Sequence, residues 1–441
     1  MHEHKQTLGP YTSMKAMQEQ GPLVIDRAEG VYVFDEDGRR YLDAHAALWL
    51  VNVGYGRREI IEAVARQAEK LSWFSSFGGF ANRPSIELAE RLIDLFKPDG
   101  MASVFLSNDG SEAMETALKM SRQYWKMRGM AAKTKLIGRQ HAYHGVTAGA
   151  LSVAGITANR RMFEPLLGDI RHAPAPYRNH CSYHPGNAVC TYACVREVER
   201  MIQFEDPSTV AAFVAEPIQA AGGVIIPPPD YLAQIREICT RYDVLLITDE
   251  VVTGFGRLGD WTGARHYGIQ PDMMTFAKGI TSGYQPLGAT AVAQHILDAY
   301  MQGSAGEPEL RHGNTYSGHP VAAAAALANI AIIERENLLE RARAAGSHLG
   351  GLVDQIAKAL PNHVADSGAE GLLGRVELRS DGHEPPGALG NRVTAKMREA
   401  GVIVRPAGNV ITLSPPLIIT DDQLDSVIET LHDVLLEVMP V

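Results

Sequence analysis

VLLITDEVVTGFGRLGDWTGARHYGIQPDMMTFAKG, residues 244–279, decides how the rest of the chain is read. It holds two short apolar runs, Val244–Thr248 and Met273–Ala277, each bounded by polar or turn residues. Such runs suit strands buried on both faces of a parallel sheet. Asp249 ends the first run and Lys278 follows the second. Open α/β sheets bind ligands at the carboxyl ends of their strands. An acid and an amine far apart in sequence are therefore expected at one crevice.

A lysine amine condenses with a carbonyl to a Schiff base, and an aspartate can hold a ring nitrogen protonated. Pyridoxal phosphate calls for both, the lysine on its aldehyde and the acid on its pyridinium nitrogen. Taken singly, each residue has a plainer reading: Asp249 as a turn cap, Lys278 as a solvated side chain. The other strand ends decide between the two.

From about residue 100 to 290 strand and helix patterns alternate, the signature of a parallel sheet. Val104–Leu106 leads into SNDGSEAMETALKMSRQYW (107–125), where Gly110 and Ser111 stand at the turn from strand to helix. Backbone N–H groups at a helix start, a glycine that permits close approach and a hydroxyl make a phosphate site. Ser111 also reads as a simple N-cap with Glu115 nearby. Lys135–Gly138 is the next strand, and RQHAYHG (139–145) brings Tyr143 and His144 to its exit. An aromatic ring there can stack on a flat heterocycle, or pack as an ordinary loop tyrosine beside a hydrogen-bonded histidine. Ala211–Ala215 is a further buried strand, ended by Glu216-Pro217.

Outside this region the pattern is looser. Residues 1–20 read as a polar lead-in. Leu23–Ile25, Val31–Phe34 and Tyr41–Leu42 read as short strands, with Asp37-Gly38 as a hairpin turn. Trp49 precedes a glycine-rich turn, as core anchor or pocket wall, and an amphipathic helix spans Arg58 to about Lys70. The aromatic, glycine-rich stretch 72–85 either lines a pocket or forms an interface, and Pro84 opens the next helix. An alanine-rich helix spans Val321–Arg335. Leu372–Leu378, Val402–Arg405 and Ile411–Leu413 read as strands, and a final helix starts at Asp421. Arg405, in an apolar strand, is either ion-paired or poised for a carboxylate ligand.

Composition narrows the function. Of 441 residues 45% are hydrophobic and 21% charged, as in ordinary globular proteins with a large core. The net charge of −10 argues against nucleic acid or an anionic membrane as partner. The N-terminus has no signal-type apolar core, and no apolar run is long enough for a transmembrane helix. Four cysteines fit a reducing cytoplasm. Cys181, His184, Cys190 and Cys194 have zinc-ligand chemistry without the usual paired spacing. They read as a metal loop or as a surface loop with reduced thiols, and no metal is assigned to the site.

Gly110-Ser111, Tyr143-His144, Glu216, Asp249 and Lys278 are joined by HGNTYSGHP (312–320) and VRPAGNVITLSPPL (404–417). With DEVVTGFGRLG (249–259) and AKGITSGYQPLGA (277–289), they resemble the class III, fold-type I pyridoxal-phosphate aminotransferases. The resemblance runs from about Gly21 to the C-terminal helix. It implies an α/β fold: a mostly parallel central sheet with helices on both faces, plus a smaller α+β domain built from the N- and C-terminal segments. The expected division is 1–60 as the N-terminal segment of the small domain, 61–320 as the large cofactor domain and 321–441 as the C-terminal small domain.

The resemblance also implies roles. Lys278 is the Schiff-base lysine and general base, and Asp249 pairs with the pyridine nitrogen. Val251 covers one ring face and Tyr143 the other. Gly110 and Ser111 hold the phosphate, with His144 and Glu216 beside the cofactor. Thr315 reaches the phosphate of a neighbouring subunit, which implies a homodimer with the active site at the interface. LWLVNVGYGR (48–57), with Trp49, and Arg405 in VIVRPAGN look most like the ω-transaminase branch that uses pyruvate. The cysteine-bearing excursion is similar to taurine–pyruvate members. The R-G-x-G-L string of the family reads SGAEGLLGRVEL (367–378) here, with Arg375 in place of an expected glycine. The expected reaction moves an amino group from a primary amine or ω-amino acid to pyruvate. An aminomutase or racemase on the same fold, and a non-catalytic cofactor-binding regulator, are the rival readings.

Overall fold

Seven strands build the central sheet of the computed structural model, which describes residues 8–183, 190–302, 308–380 and 382–439. Their order is Met101–Ser107, Gly288–Ala293, Met273–Phe276, Leu245–Asp249, Val210–Ala215, Lys135–Arg139, Ile170–Ala173. Gly288–Ala293 runs antiparallel to both neighbours, and the other pairings are parallel. The reversal follows from chain length: only a short turn and loop separate this strand from Met273–Phe276, too little for a crossover helix.

Every residue of Val210–Ala215, Leu245–Asp249 and Met273–Phe276 is buried. Alternate side chains of a strand point to opposite faces, so these runs feed two cores. Val214, Ile247 and Met273 pack with Met114, Leu118 and Trp125 of the helix Gly110–Met127. Phe213, Leu246 and Met274 join the other core, with Leu232 and Ile235 of Tyr231–Arg241 and the alanines of Pro320–Arg335. Full burial of each such aliphatic side chain contributes roughly 1.5–3 kcal/mol. Helices on both faces leave the strand ends as the open edge of this layer.

The two ends of the chain meet in a smaller sheet. Ile25–Glu29, Tyr32–Asp35 and Arg40–Asp43 form an antiparallel meander, and Val402–Ile403 adds in parallel with Val402 opposite Leu42. A third sheet, fully antiparallel, runs Val364–Glu370, Leu373–Leu378, Val410–Leu413, Arg405–Ala407. The single strand expected at Val402–Arg405 is thus two strands in two sheets. Pro406 has no N–H to give a ladder, and the strand that carries it sits at an edge, opposite Ile411.

The helix Arg58–Lys70 has the expected bounds, and Asn82 caps Arg83–Phe96 with Pro84 in its first turn. Among the described residues no helix is long and apolar enough to cross a membrane. Nor do any three or more His, Cys, Asp or Glu side chains among them gather to hold a metal. Cys181, Cys190 and Cys194 are free thiols, and His184 lies outside the described residues.

Candidate active site

A cavity of about 890 Å³ opens at the carboxyl ends of the parallel strands. Gly110, Ser111, Tyr143, His144, Glu216, Asp249, Val251, Lys278, Trp49 and Arg405 all line it. Segments as far apart in sequence as Trp49 and Arg405 meet there because each is fixed to the end of a strand or to the rim above it.

Asp249 is the last residue of its strand and is buried. Its Oδ2 lies 2.8 Å from His144 Nδ1, and its Oδ1 accepts from the Val251 N–H at 3.1 Å. An ionised carboxylate only accepts, so this contact puts the proton of a neutral His144 on Nδ1. His144 Nε2 is buried and has no partner among the described residues. Glu216 Oε1 accepts from the Tyr143 N–H and Oε2 from the Ala220 N–H, both at 3.0 Å. Burial pushes the Glu216 carboxyl up to about 7, with the Asp249 charge adding to the rise.

Lys278 follows the neighbouring strand at φ 48°, in the left-handed region that L-residues seldom adopt. Burial lowers its pKa, against the opposing pull of Asp249 and Glu216. Lowering favours the neutral amine, the nucleophilic form. Its Nζ lies 5.6 Å from the Trp49 ring centroid, and the Arg405 guanidinium lies 5.2 Å from the same centroid. Trp49 sits at φ 59° in a turn held by Asp43, whose carboxylate accepts from the His45 and Ala47 N–H groups at 3.0 and 2.6 Å. Trp49 is therefore a wall of the cavity. Arg405 is half-buried, burial lowers its pKa, and among the described residues only phenols stand near enough to oppose that. It lines the cavity and makes no ion pair among the described residues.

The helix that starts at Gly110 is capped by Asp109, which accepts from the Glu112 N–H at 2.8 Å, and not by Ser111. That leaves Ser111 in the first turn, its Oγ accepting from the Val146 N–H at 3.2 Å. A Cβ on Gly110 would stand 3.1 Å from Val251 Cγ2, and one on Gly145 only 2.7 Å from Ser111 Oγ. Gly145, also at φ 130°, needs glycine for this close approach, while at Gly110 a Cβ would press on the Val251 side chain.

Thr315 is exposed and does not line the cavity of the single chain. The stretch 72–85 does not reach it either. Trp73, Phe74, Phe77 and Phe80 are exposed and lie beside the Thr315 loop. Ser76 Oγ donates to the Ser317 carbonyl at 2.9 Å, Asn82 Nδ2 to the Gly318 carbonyl at 2.8 Å, and Trp73 meets Tyr316 at 6.0 Å between ring centroids. Arg375 is buried outside the cavity, paired with Asp366 and, at 2.8 Å, with Glu377. Sequence reasoning missed Tyr11 and His141, which also line the cavity. An aromatic residue directly after Gly9-Pro10 was the available signal for Tyr11.

The residues fit pyridoxal phosphate. A helix start with Gly110 and Ser111 offers N–H groups and a hydroxyl to a phosphate. A Cβ-free floor at Gly110, the Val251 side chain beside it, and a buried acid and a buried amine on adjacent strands suit the rest of the group. Fold and site together define a fold-type I pyridoxal-phosphate enzyme. The chain belongs to the class-III aminotransferases: the family model "Aminotransferase class-III" matches residues 13–435. It is 39% identical over 431 residues to a putrescine–pyruvate aminotransferase of Pseudomonas aeruginosa, covering 96% of this chain and 92% of that one. It is 37% identical over 420 residues to an omega-aminotransferase of Caulobacter vibrioides, covering 94% and 93%. The fold matches a crystal structure of an amine transaminase from an uncultivated Pseudomonas species in its PLP-bound form. There the TM-score is 0.94 at 39% identity, over 98% of this chain and 99% of that one. The protein is an aminotransferase whose cofactor is pyridoxal phosphate, and it takes its amino group from an amine donor to a keto acid acceptor.

Proposed function

We propose that the enzyme moves an amino group from a primary amine or ω-amino acid to pyruvate, releasing an aldehyde or ketone and alanine. One observation carries the acceptor: Arg405 faces the same cavity as Lys278, across Trp49, with no carboxylate of the described residues among the groups acting on it. A half-buried guanidinium without an acid partner suits a substrate carboxylate. The name of the Pseudomonas aeruginosa relative, a putrescine–pyruvate aminotransferase, supports the same acceptor.

Bound pyridoxal phosphate would supply an aldehyde for Lys278 and an electron sink for a substrate carbanion. The chain supplies the rest. Lys278 Nζ would take the proton from the amine-bearing carbon of the substrate and hand it on. Burial lowers its pKa, which favours the neutral amine that can act as a base. The Asp249 carboxylate, oriented by His144 Nδ1, would hold a proton and positive charge on the ring nitrogen. Glu216 fixes the backbone of Tyr143, whose ring and the Val251 side chain would hold the cofactor ring between them. Gly110 and Ser111 bind the phosphate. Arg405 binds the acceptor's carboxylate and turns aside for amines that lack one.

The reading includes a homodimer. The exposed aromatic loop 72–85 and the Thr315 loop form one apolar surface, which suits burial against a second copy. Thr315 then reaches the phosphate in the adjoining site. It also includes the division of the chain at about residues 60 and 320, and a cytoplasmic setting in keeping with four free thiols.

The test is the absorbance spectrum of the cofactor-loaded enzyme under a panel of amines without acceptor. Loss of the long-wavelength cofactor band, its return on adding pyruvate, and one alanine formed per amine consumed are expected. An amine that rearranges with no acceptor would point instead to an aminomutase or racemase.

A further inference from the structure

The N-terminal segment, a polar lead-in by composition, reaches the same cavity. Pro10 and Tyr11 line it from a turn ahead of the helix Met14–Gln20, which the Ser13 hydroxyl caps. The turn is fixed locally: Thr12 Oγ1 donates to the Pro10 carbonyl at 2.8 Å, and the Gly9 N–H points at Met14 Sδ at 3.4 Å. Tyr11 sits at φ 51°. Among residues other than glycine with positive φ, Tyr11, Trp49, His141 and Lys278 all line this cavity. Strained backbone gathers at ligand clamps, and here four separate segments bring it to one space.

Tyr11, Tyr143 and Arg405 line the cavity together, and both phenols act on the Arg405 guanidinium. Each phenol can donate one hydrogen bond and also accept. A carboxylate offers about four lone-pair sites, so a guanidinium fork and a phenol can bind it together. When no carboxylate is present, Tyr11, which is 64% exposed, can give its phenol to water.

We propose that Tyr11 is a specificity-determining residue whose phenol donates to the substrate carboxylate held by Arg405. It thereby favours 2-oxo acids and ω-amino acids over amines that carry no carboxylate. The inference rests on the reading of Arg405 as the carboxylate site.

The test uses the cofactor-loaded enzyme and Tyr11→Phe, with Arg405→Ala as reference. Calorimetric binding of propanoate, which has no amine to react, should weaken about tenfold in Tyr11→Phe, the range of a hydrogen bond to a charged group. The ratio of kcat/KM for β-alanine to that for propylamine should fall by a similar factor, through KM. Propanoate binding equal in wild type and Tyr11→Phe would overturn the proposal, as would an equal loss on both donors, which marks a role in shape alone. If wild type binds propanoate no better than Arg405→Ala does, the carboxylate site itself fails, and this inference with it.

Discussion

The floor and the rim of the cavity are built differently. Glu216, Asp249 and Lys278 stand on or directly after the ends of adjacent strands, Val210–Ala215, Leu245–Asp249 and Met273–Phe276, all buried on both faces. Their positions are set by ladder hydrogen bonds and two packed cores, and a shift in one strand must move the others. Tyr11, Trp49 and Arg405 come instead from a turn, a kinked short helix and the first residue of an edge strand. Sites on packed elements are held more accurately than sites on loops, and loops vary at less cost. The contrast assigns bond-making to the floor and choice of substrate to the rim.

That contrast breaks most sharply at Lys278. Lys278→Ala should remove turnover altogether while the phosphate site proposed at Gly110 and Ser111 retains cofactor, measured as kcat and as cofactor content after gel filtration. Full activity in this variant would remove the floor from the chemistry. Asp249→Asn should follow, with kcat down about 10²–10³-fold, the usual effect of losing one preorganised charge contact at a reacting group. It also sets an amide against His144 Nδ1 in place of a carboxylate. A loss confined to KM would make Asp249 a binding group only.

The rim should respond in KM. Arg405→Ala is expected to raise the KM for pyruvate about 10–100-fold, the range for a hydrogen-bonded charge contact. Amines without a carboxylate should lose far less. Parallel losses on both substrate types would mean that Arg405 only supports Trp49, whose ring it faces.

The two regions were not equally legible in the sequence, for the same reason. A strand buried on both faces must be an apolar run, so Val210–Ala215, Leu245–Asp249 and Met273–Phe276 announce themselves, and the residues at their ends follow. Edge strands need no such run: Ile170–Ala173 (IRHA) and Val364–Glu370 (VADSGAE) lie at sheet edges, carry polar side chains and were missed. The break at Val404 was hidden because VIVR has the composition of one strand, and only its two pairing partners, Leu42–Asp43 and Val410–Thr412, divide it. Asp109 took the cap expected of Ser111 because both are good caps and spacing alone does not rank them. Tyr11 depends on a tertiary contact some 130 residues away and has no periodic signal. Thr315 matters to the site only if a second chain is present.

The smallest effect is expected one residue beyond Asp249. Glu250 is also fully buried, yet it faces away from the chemistry. Its carboxylate accepts from Thr253 Oγ1 at 2.5 Å and from the Gly263 and Ala264 N–H groups at 2.7 and 2.8 Å, closing the start of a short helix. Burial pushes its pKa from 4.5 up to about 7. A carboxyl with a raised folded-state pKa resists ionisation that the unfolded chain accepts freely. Its contribution is therefore fully present below the unfolded value and declines as pH rises from 4.5 to about 7. Glu250→Gln cannot titrate, so the stability of wild type relative to it should fall across that window, by up to roughly 3 kcal/mol. The Gln side chain also sets an amide where three donors converge, which costs the variant about 1–3 kcal/mol at every pH. Urea midpoints of the two proteins at about pH 5 and about pH 8 give the slope, with turnover close to wild type at both. A pH-independent difference would mean that Glu250 stays ionised through the window. A large loss of turnover would tie it to the floor of the site, and the division between Asp249 and its neighbour would not hold.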